Sequence, residues 1–205
     1  MQLLKLVVLI SGRGSNLKAI IDSIESKKLN SEILCVISDN PNAYGLKIAS
    51  DHNIETILLD YKKFPSKDEY EKSLLTILKE KNPDLICLAG YMRIVGKDVI
   101  NAFKNKIINI HPALLPSFPG LHAQKQAIDY GVKISGCTVH FVDEGCDTGP
   151  IILQKAVNVD DDDDEASLSK KILEQEHIAY SEAISLIAQG RVKIFGRKTK
   201  IERQG

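Results

Sequence analysis

Four short apolar runs, residues 3–10, 33–37, 85–89 and 107–110, recur along the chain, each closed by glycine, proline or a polar turn. Each is too brief for a core helix and too continuous for a strand with one wet face. Each therefore reads as a strand buried on both faces. Between them lie stretches with helical spacing. Leu17, Ile20, Ile21 and Ile24 mark one at residues 17–26, and residues 44–52 form another, followed by a strand at 54–59. Ser66-Lys67-Asp68-Glu69 matches a capping box and opens a helix with Tyr70, Leu74, Ile77 and Leu78 on its apolar face. That helix ends before Asn82-Pro83. Strands alternating with helices predict an α/β fold: a doubly wound, mostly parallel, Rossmann-like sheet flanked by helices, with right-handed crossovers.

The pattern continues past residue 110. A helix is expected at 122–130, with Gly131 at the left-handed stop. A strand at 134–142 puts Cys137, Val139 and Phe141 on one face and Thr138 and His140 on the other. A further strand at 151–159 precedes a long helix at 168–188 that stops at Gly190. The basic tail, 191–205, reads as a weak hairpin or as partly disordered. At 205 residues the chain fits one domain made of two tightly joined halves, 1–108 and 109–205. Lysine plus arginine equals aspartate plus glutamate, 27 each, so no basic field invites nucleic acid. The four cysteines show no CxxC spacing, and three lie in apolar runs, which suits a reducing cytosol. Lys5 interrupts the first apolar run, and no stretch approaches the roughly 20 apolar residues of a membrane span. A cytoplasmic protein without membrane association is expected.

Open α/β sheets take ligands at the carboxyl ends of their strands. The first such end is Ser11-Gly12-Arg13-Gly14-Ser15-Asn16-Leu17. Glycines allow backbone N–H groups to approach an anion, and the following helix adds partial positive charge. Leu17 stands where a dinucleotide fingerprint needs its third glycine, and no Gly-Lys-Ser/Thr is present. One phosphate monoester suits so short a loop; an ordinary glycine turn with Ser15 as the helix cap is the plain alternative. Residues 89–95 form an apolar loop with one charge, Arg93, able to line a heterocycle pocket or to pack beneath the next helix. Asn109 and His111, two apart in a strand, point the same way, and Pro112, Pro116 and Pro119 stiffen the loop beyond them. Residues 143–150 bring three carboxylates and two glycines to another strand end. The acidic run 160–165 sits just before a helix, where negative charge favours the N-terminus, so no metal is expected there. Gln175-Glu176-His177 is a polar cluster that a solvated helix face would explain.

An amide, an imidazole and a carboxylate without a serine or cysteine nucleophile suit direct group transfer, in which the substrate supplies the attacking atom. Asn109 and a protonated His111 would steady a developing oxyanion. Asp147 would orient the imidazole and raise its pKa. Ile-Ser-Gly-Arg-Gly-Ser-Asn-Leu, Leu-Ala-Gly-Tyr-Met-Arg-Ile, Asn-Ile-His-Pro-Ala-Leu-Leu-Pro-Ser-Phe-Pro-Gly-Leu-His, Val-His-Phe-Val-Asp-Glu and Asp-Thr-Gly-Pro-Ile-Ile-Leu-Gln occur in this order along the chain. Together they resemble the phosphoribosylglycinamide formyltransferase family, the folate-dependent transformylases of purine biosynthesis.

The resemblance implies a Rossmann-like formyltransferase fold and transfer of formyl from 10-formyltetrahydrofolate, as co-substrate, to the amine of glycinamide ribonucleotide. It implies Asn109, His111 and Asp147 as the catalytic set. Arg13, Gly14, Ser15, Asn16 and Leu17 would surround the ribonucleotide phosphate, and Glu176 would bind its ribose. Lys67, Met92, Arg93, Ile94, Val95, Val142 and Asp143, with Asn109 and Asp147, would hold the folate. In this scheme residues 1–108 are the nucleotide-binding half and 109–205 the catalytic and folate-binding half. Lys67 stands where relatives often carry arginine, losing bidentate geometry, and Arg13 where they often carry asparagine. No metal is implied, and the molecule is expected as a monomer or homodimer. A methionyl-tRNA formyltransferase would need a further basic domain, and a formyltetrahydrofolate hydrolase a regulatory one. A dehydrogenase is disfavoured by the incomplete glycine pattern, and a mere nucleotide-binding module by the Asn109–His111–Asp147 set.

Overall fold

A computed structural model describes residues 3–203. Seven strands form one sheet in the order β3-β2-β1-β4-β5-β6-β7, and two more form a separate hairpin. The sheet elements are β1 (Leu4–Ile10), β2 (Ser31–Ser38), β3 (Thr56–Leu58), β4 (Leu85–Leu88), β5 (Ile107–His111), β6 (Ile134–Phe141) and β7 (Ile151–Asn158). The expected α/β architecture is present, and the chain divides into two compact units after Ile108.

In the first unit, β2 and β4 pair in parallel with β1, and β3 pairs in parallel with β2. Leu6 to Ile10 are all buried, as are Val36, Ile37, Ile86 and Cys87. Fully burying such an aliphatic side chain stabilises by roughly 1.5–3 kcal/mol. The exposed pairs Lys18–Asp22 and Lys47–Asp51, one helical turn apart, contribute little, because water screens them. Strand burial decides the fold. The helices α1 (Ser15–Glu25), α2 (Tyr44–Asp51) and α3 (Lys67–Lys81) match the expected spans closely. Ser66 caps α3 by accepting from the Glu69 N–H at 3.2 Å, and Asn82 ends it in the left-handed conformation. A 3-10 turn, Tyr61–Lys63, and a short helix, α4 (Lys97–Ala102), complete the unit.

In the second unit, β6 and β7 are antiparallel, with a register shift between Val139 and His140. Helix α6 (Glu165–Ala188) packs on both strands and also touches α5 (Ala123–Tyr130). It begins three residues before the expected start because the acidic run builds its cap. Asp164 Oδ1 accepts from the Ser167 N–H at 2.8 Å, while Ser167 Oγ accepts from the Asp164 N–H at 2.9 Å. Asp160 and Asp163 both pair with Lys171, and Asp161 pairs with Lys133. Lys171, Ser167 and the Asp160 N–H hold the Asp163 carboxyl low, at about 2. The run is a helix start, as its charge implies. The tail folds as an antiparallel hairpin of β8 (Val192–Phe195) and β9 (Lys198–Ile201), tied to β7 by Thr199 Oγ1 donating to the Ile151 carbonyl. The last two residues lie outside the described range.

Candidate active site

Strand β5 delivers Asn109 and His111 from one face, and a single carboxylate meets both. Asp147 Oδ2 lies 3.3 Å from His111 Nδ1, and Asp147 Oδ1 accepts from Asn109 Nδ2 at 3.4 Å. The Gly120 N–H also donates to Oδ2, at 2.8 Å. Asp147 reaches this position from left-handed backbone, φ 55°, uncommon for a residue with a side chain and tolerated best by short polar ones. Such backbone persists only where its surroundings hold it, and it clusters at functional sites. Beside it, Gly149 packs against the Phe141 carbonyl so closely that a Cβ has no room.

A second imidazole belongs to the cluster. His140 Nε2 lies 3.5 Å from Asp147 Oδ1 and 3.3 Å from Asn109 Nδ2, while its Nδ1 lies 2.9 Å from the Phe141 carbonyl. That carbonyl can only accept, so Nδ1 carries hydrogen, and the tautomer this selects leaves Nε2 to accept from the Asn109 amide. His140 thereby fixes which way the amide faces. The sequence alone places His140 merely on a strand face opposite Cys137. The signal available is its place beside Phe141 at the end of an apolar strand; the register shift that accompanies it is invisible in sequence.

His111 is 4% exposed, and both of its ring nitrogens face acceptors: Asp147 at Nδ1 and the Phe118 carbonyl, 2.8 Å away, at Nε2. The expectation that Asp147 raises the His111 pKa is corrected in its net result. Burial lowers it below the ordinary 6.5, outweighing the upward pull of the Asp147 charge and the Phe118 carbonyl. Asp147 itself is pushed up by burial, but the His140 contact, the Gly120 N–H and both imidazoles hold it well below the usual carboxylate range.

In the first unit, Gly14 is the N-cap of α1 at φ 76°, and no side chain caps this end. Ser15 is the first helical residue and not the cap. A Cβ on Gly14 would come within 2.6 Å of Gly45 Cα, and Gly45 N–H donates to the Gly12 carbonyl at 3.1 Å. Two glycines thus let the starts of α1 and α2 touch, and the α1 N-terminus, without a side-chain cap, is suited to an anion. Asn16 is buried here and Arg13 is exposed. Leu17 lies wholly in the core, so only its backbone is available to a ligand.

Residues 90–96 carry no regular structure, yet Met92 N–H donates to Ser11 Oγ at 2.8 Å and Gly96 N–H to Glu71 Oε2 at 3.1 Å. Met92 and Ile94 are 65% and 66% exposed, while Val95 is buried. Two apolar side chains held out from a pinned loop are the kind of surface that a flat heterocycle would cover, with backbone groups at its edges. Lys67 is exposed at the start of α3. Asp143 is occupied within its own loop, accepting from Gly145 N–H at 3.1 Å and Thr148 Oγ1 at 2.6 Å, with Val142 half-buried beside it. Glu176 is 7% exposed, so the cluster around it is no solvated face; its charge helps push the Cys137 thiol, already raised by burial, to about 12. Among the described residues no group of three or more His, Cys, Asp or Glu is placed to hold a metal, and no helix is long and apolar enough to cross a membrane.

The profile of the formyl transferase family matches residues 4–184. The trifunctional purine biosynthetic protein adenosine-3 of Drosophila melanogaster is 44% identical over 93% of the chain, which spans 14% of that protein's length. Phosphoribosylglycinamide formyltransferase of Escherichia coli (strain K12) is 39% identical, with 93% of this chain and 90% of that protein covered. Glycinamide ribonucleotide transformylase 1 from Symbiobacterium toebii superposes with a TM-score of 0.95 at 46% identity, covering 98% of this chain and 94% of that one.

Proposed function

The chain belongs to the formyl transferase family, and from that premise we propose that it transfers formyl from 10-formyltetrahydrofolate to the amine of glycinamide ribonucleotide in purine biosynthesis, in the cytoplasm. The observation that carries this reading is the single Asp147 carboxylate, which joins Asn109 and His111; the Cys146 thiol beside it donates to Oδ2 at 3.6 Å, and burial together with that carboxylate raises its pKa, the opposite of an activated nucleophile. Residues 1–108 act as the nucleotide-binding half and 109–205 as the catalytic half. The phosphate sits on the α1 amides of Ser15, Asn16 and Leu17, flanked by Gly14 and Arg13, and Glu176 accepts from the ribose hydroxyls. The folate lies along Met92, Arg93, Ile94 and Val95, with Val142, Asp143 and Lys67 contributing at its margins.

The bound folate supplies a formyl carbonyl and a nitrogen leaving group. Asn109 offers its second amide hydrogen to the formyl oxygen as negative charge grows there, its first being committed to His140 and Asp147. The ribonucleotide amine attacks the formyl carbon and forms the new C–N bond; His111 takes the proton that this amine sheds and delivers it to the folate nitrogen as the formyl–folate C–N bond breaks, with Asp147 steadying the imidazolium between the two transfers. A low pKa at rest makes this proton easy to release. Positioning of the two substrates contributes alongside the acid chemistry.

The test mixes glycinamide ribonucleotide with 10-formyl-dideazafolate and tracks the absorbance change on formyl loss. Ribonucleotide-dependent loss with formylated ribonucleotide as product is expected. Formyl loss that proceeds equally without the ribonucleotide identifies a hydrolase and overturns the reading.

A further inference from the structure

The side chain of Arg93 is held at two points inside the first unit. Its Nε donates to Asp39 Oδ2 at 2.8 Å, and its guanidinium carbon stands 3.7 Å from the centre of the Tyr61 ring. Asp39, just past the end of β2, is 6% exposed, and its carbonyl accepts from the Tyr61 N–H at 3.1 Å. One residue therefore holds both the guanidinium and the ring beneath it. The chain of contacts continues. Tyr61 meets the Tyr70 ring edge-on at 5.1 Å, and the Tyr70 and Tyr91 hydroxyls lie 2.5 Å apart. Tyr91 immediately precedes Met92, so the circuit closes on the loop that Arg93 belongs to.

We infer that Asp39 and Tyr61 are positioning residues that lock Arg93 as a strut, giving residues 92–95 a fixed shape toward the folate heterocycle. This rests on the folate reading above. An arginine next to a candidate ligand loop invites the opposite role, direct capture of an anionic group. The geometry opposes that role. A nearly buried carboxylate neutralises the guanidinium and takes its Nε, and an aromatic ring covers one side of its plane, so both its charge and its orientation are committed inside the protein before any ligand arrives. The loop has no helix or strand to shape it. Its polar anchors are the Arg93 clamp, Ser11 at Met92 and Glu71 at Gly96, with Met92 and Ile94 held outward. A loop pinned in its bound shape binds more tightly because ordering it costs less.

The experiment measures dissociation constants by calorimetry for 10-formyl-dideazafolate and for glycinamide ribonucleotide, in wild type, Asp39→Asn, Tyr61→Phe and Tyr61→Leu. Folate affinity is expected to weaken about tenfold in Asp39→Asn and Tyr61→Leu, in line with losing one charge-assisted contact. Tyr61→Phe keeps the ring face and restores near wild-type folate affinity. Ribonucleotide affinity stays within about twofold throughout, which a general loss of structure would not allow. Should Asp39→Asn fail to fold, the two Tyr61 variants decide the matter. Unchanged folate affinity in Tyr61→Leu, or equal weakening of both ligands, overturns the strut while leaving the folate reading intact. A wild-type protein that binds no folate analogue overturns both.

Discussion

Asp147 divides its carboxylate between two imidazoles, with Oδ2 3.3 Å from His111 Nδ1 and Oδ1 3.5 Å from His140 Nε2. Oδ2 also accepts from the Gly120 N–H and the Cys146 thiol, and Oδ1 from the Asn109 amide. Removing this charge should therefore disturb every polar member of the cluster together. Asp147→Asn is expected to lower turnover by roughly two to four orders of magnitude, the range of general acid–base effects, with the far-UV spectrum unchanged. Turnover within a factor of a few of wild type would contradict the role given to Asp147.

His140 fixes the Asn109 amide without being part of the proposed proton path. An amide–imidazole hydrogen bond contributes roughly 0.5–1.5 kcal/mol. His140→Phe should therefore cost about 2- to 12-fold in turnover while changing ribonucleotide affinity little. The check is a steady-state comparison of kcat with the ribonucleotide dissociation constant. Loss confined to binding would move His140 out of the catalytic cluster.

Acid should weaken the fold through the same residues. His111 titrates below its ordinary 6.5 and Asp147 below its ordinary 3.8 in the folded protein. The unfolded chain therefore takes up protons first as pH falls, and stability present at neutral pH is lost on acidification. For His111 the loss begins near 6.5; for Asp147 it begins near 3.8. Urea midpoints recorded from pH 7 downward should decline for wild type, and His111→Gln should flatten the part of the decline nearest 6.5. Parallel curves for the two proteins would show that His111 is not the group responsible.

The starts of α1 and α2 meet through Gly14 and Gly45, and the α1 amides carry no side-chain cap. Replacing Ser15 or Asn16 with a larger residue should weaken the ribonucleotide more than the folate, as separate titrations would reveal. Equal losses for both ligands would deny α1 the phosphate. Gly14→Ala should be worse, since left-handed backbone with a side chain costs of order 1–3 kcal/mol before any clash.

Much of the architecture is readable from sequence because its cause is local. Continuous apolar runs make doubly buried strands, and Ser66 or Asn82 mark helix ends by chemistry that needs no distant partner. The two-residue spacing of Asn109 and His111 likewise puts both on one face. The features that escape depend on contacts far apart in sequence. His140 enters the site through a register shift against β7 and a carboxylate seven residues on. The lowered His111 pKa reflects burial at a strand end, which the presence of an aspartate alone does not reveal. Arg93 gives no hint that its partner is Asp39, 54 residues away.

The most direct test of the central claim is turnover by His111→Ala measured beside its affinity for each substrate. Asn109 and Asp147 remain, so binding of the ribonucleotide and of the folate analogue should stay near wild type. Ribonucleotide-dependent formyl transfer should fall by roughly two to four orders of magnitude. A His111→Ala protein that transfers formyl at a near wild-type rate would contradict the account.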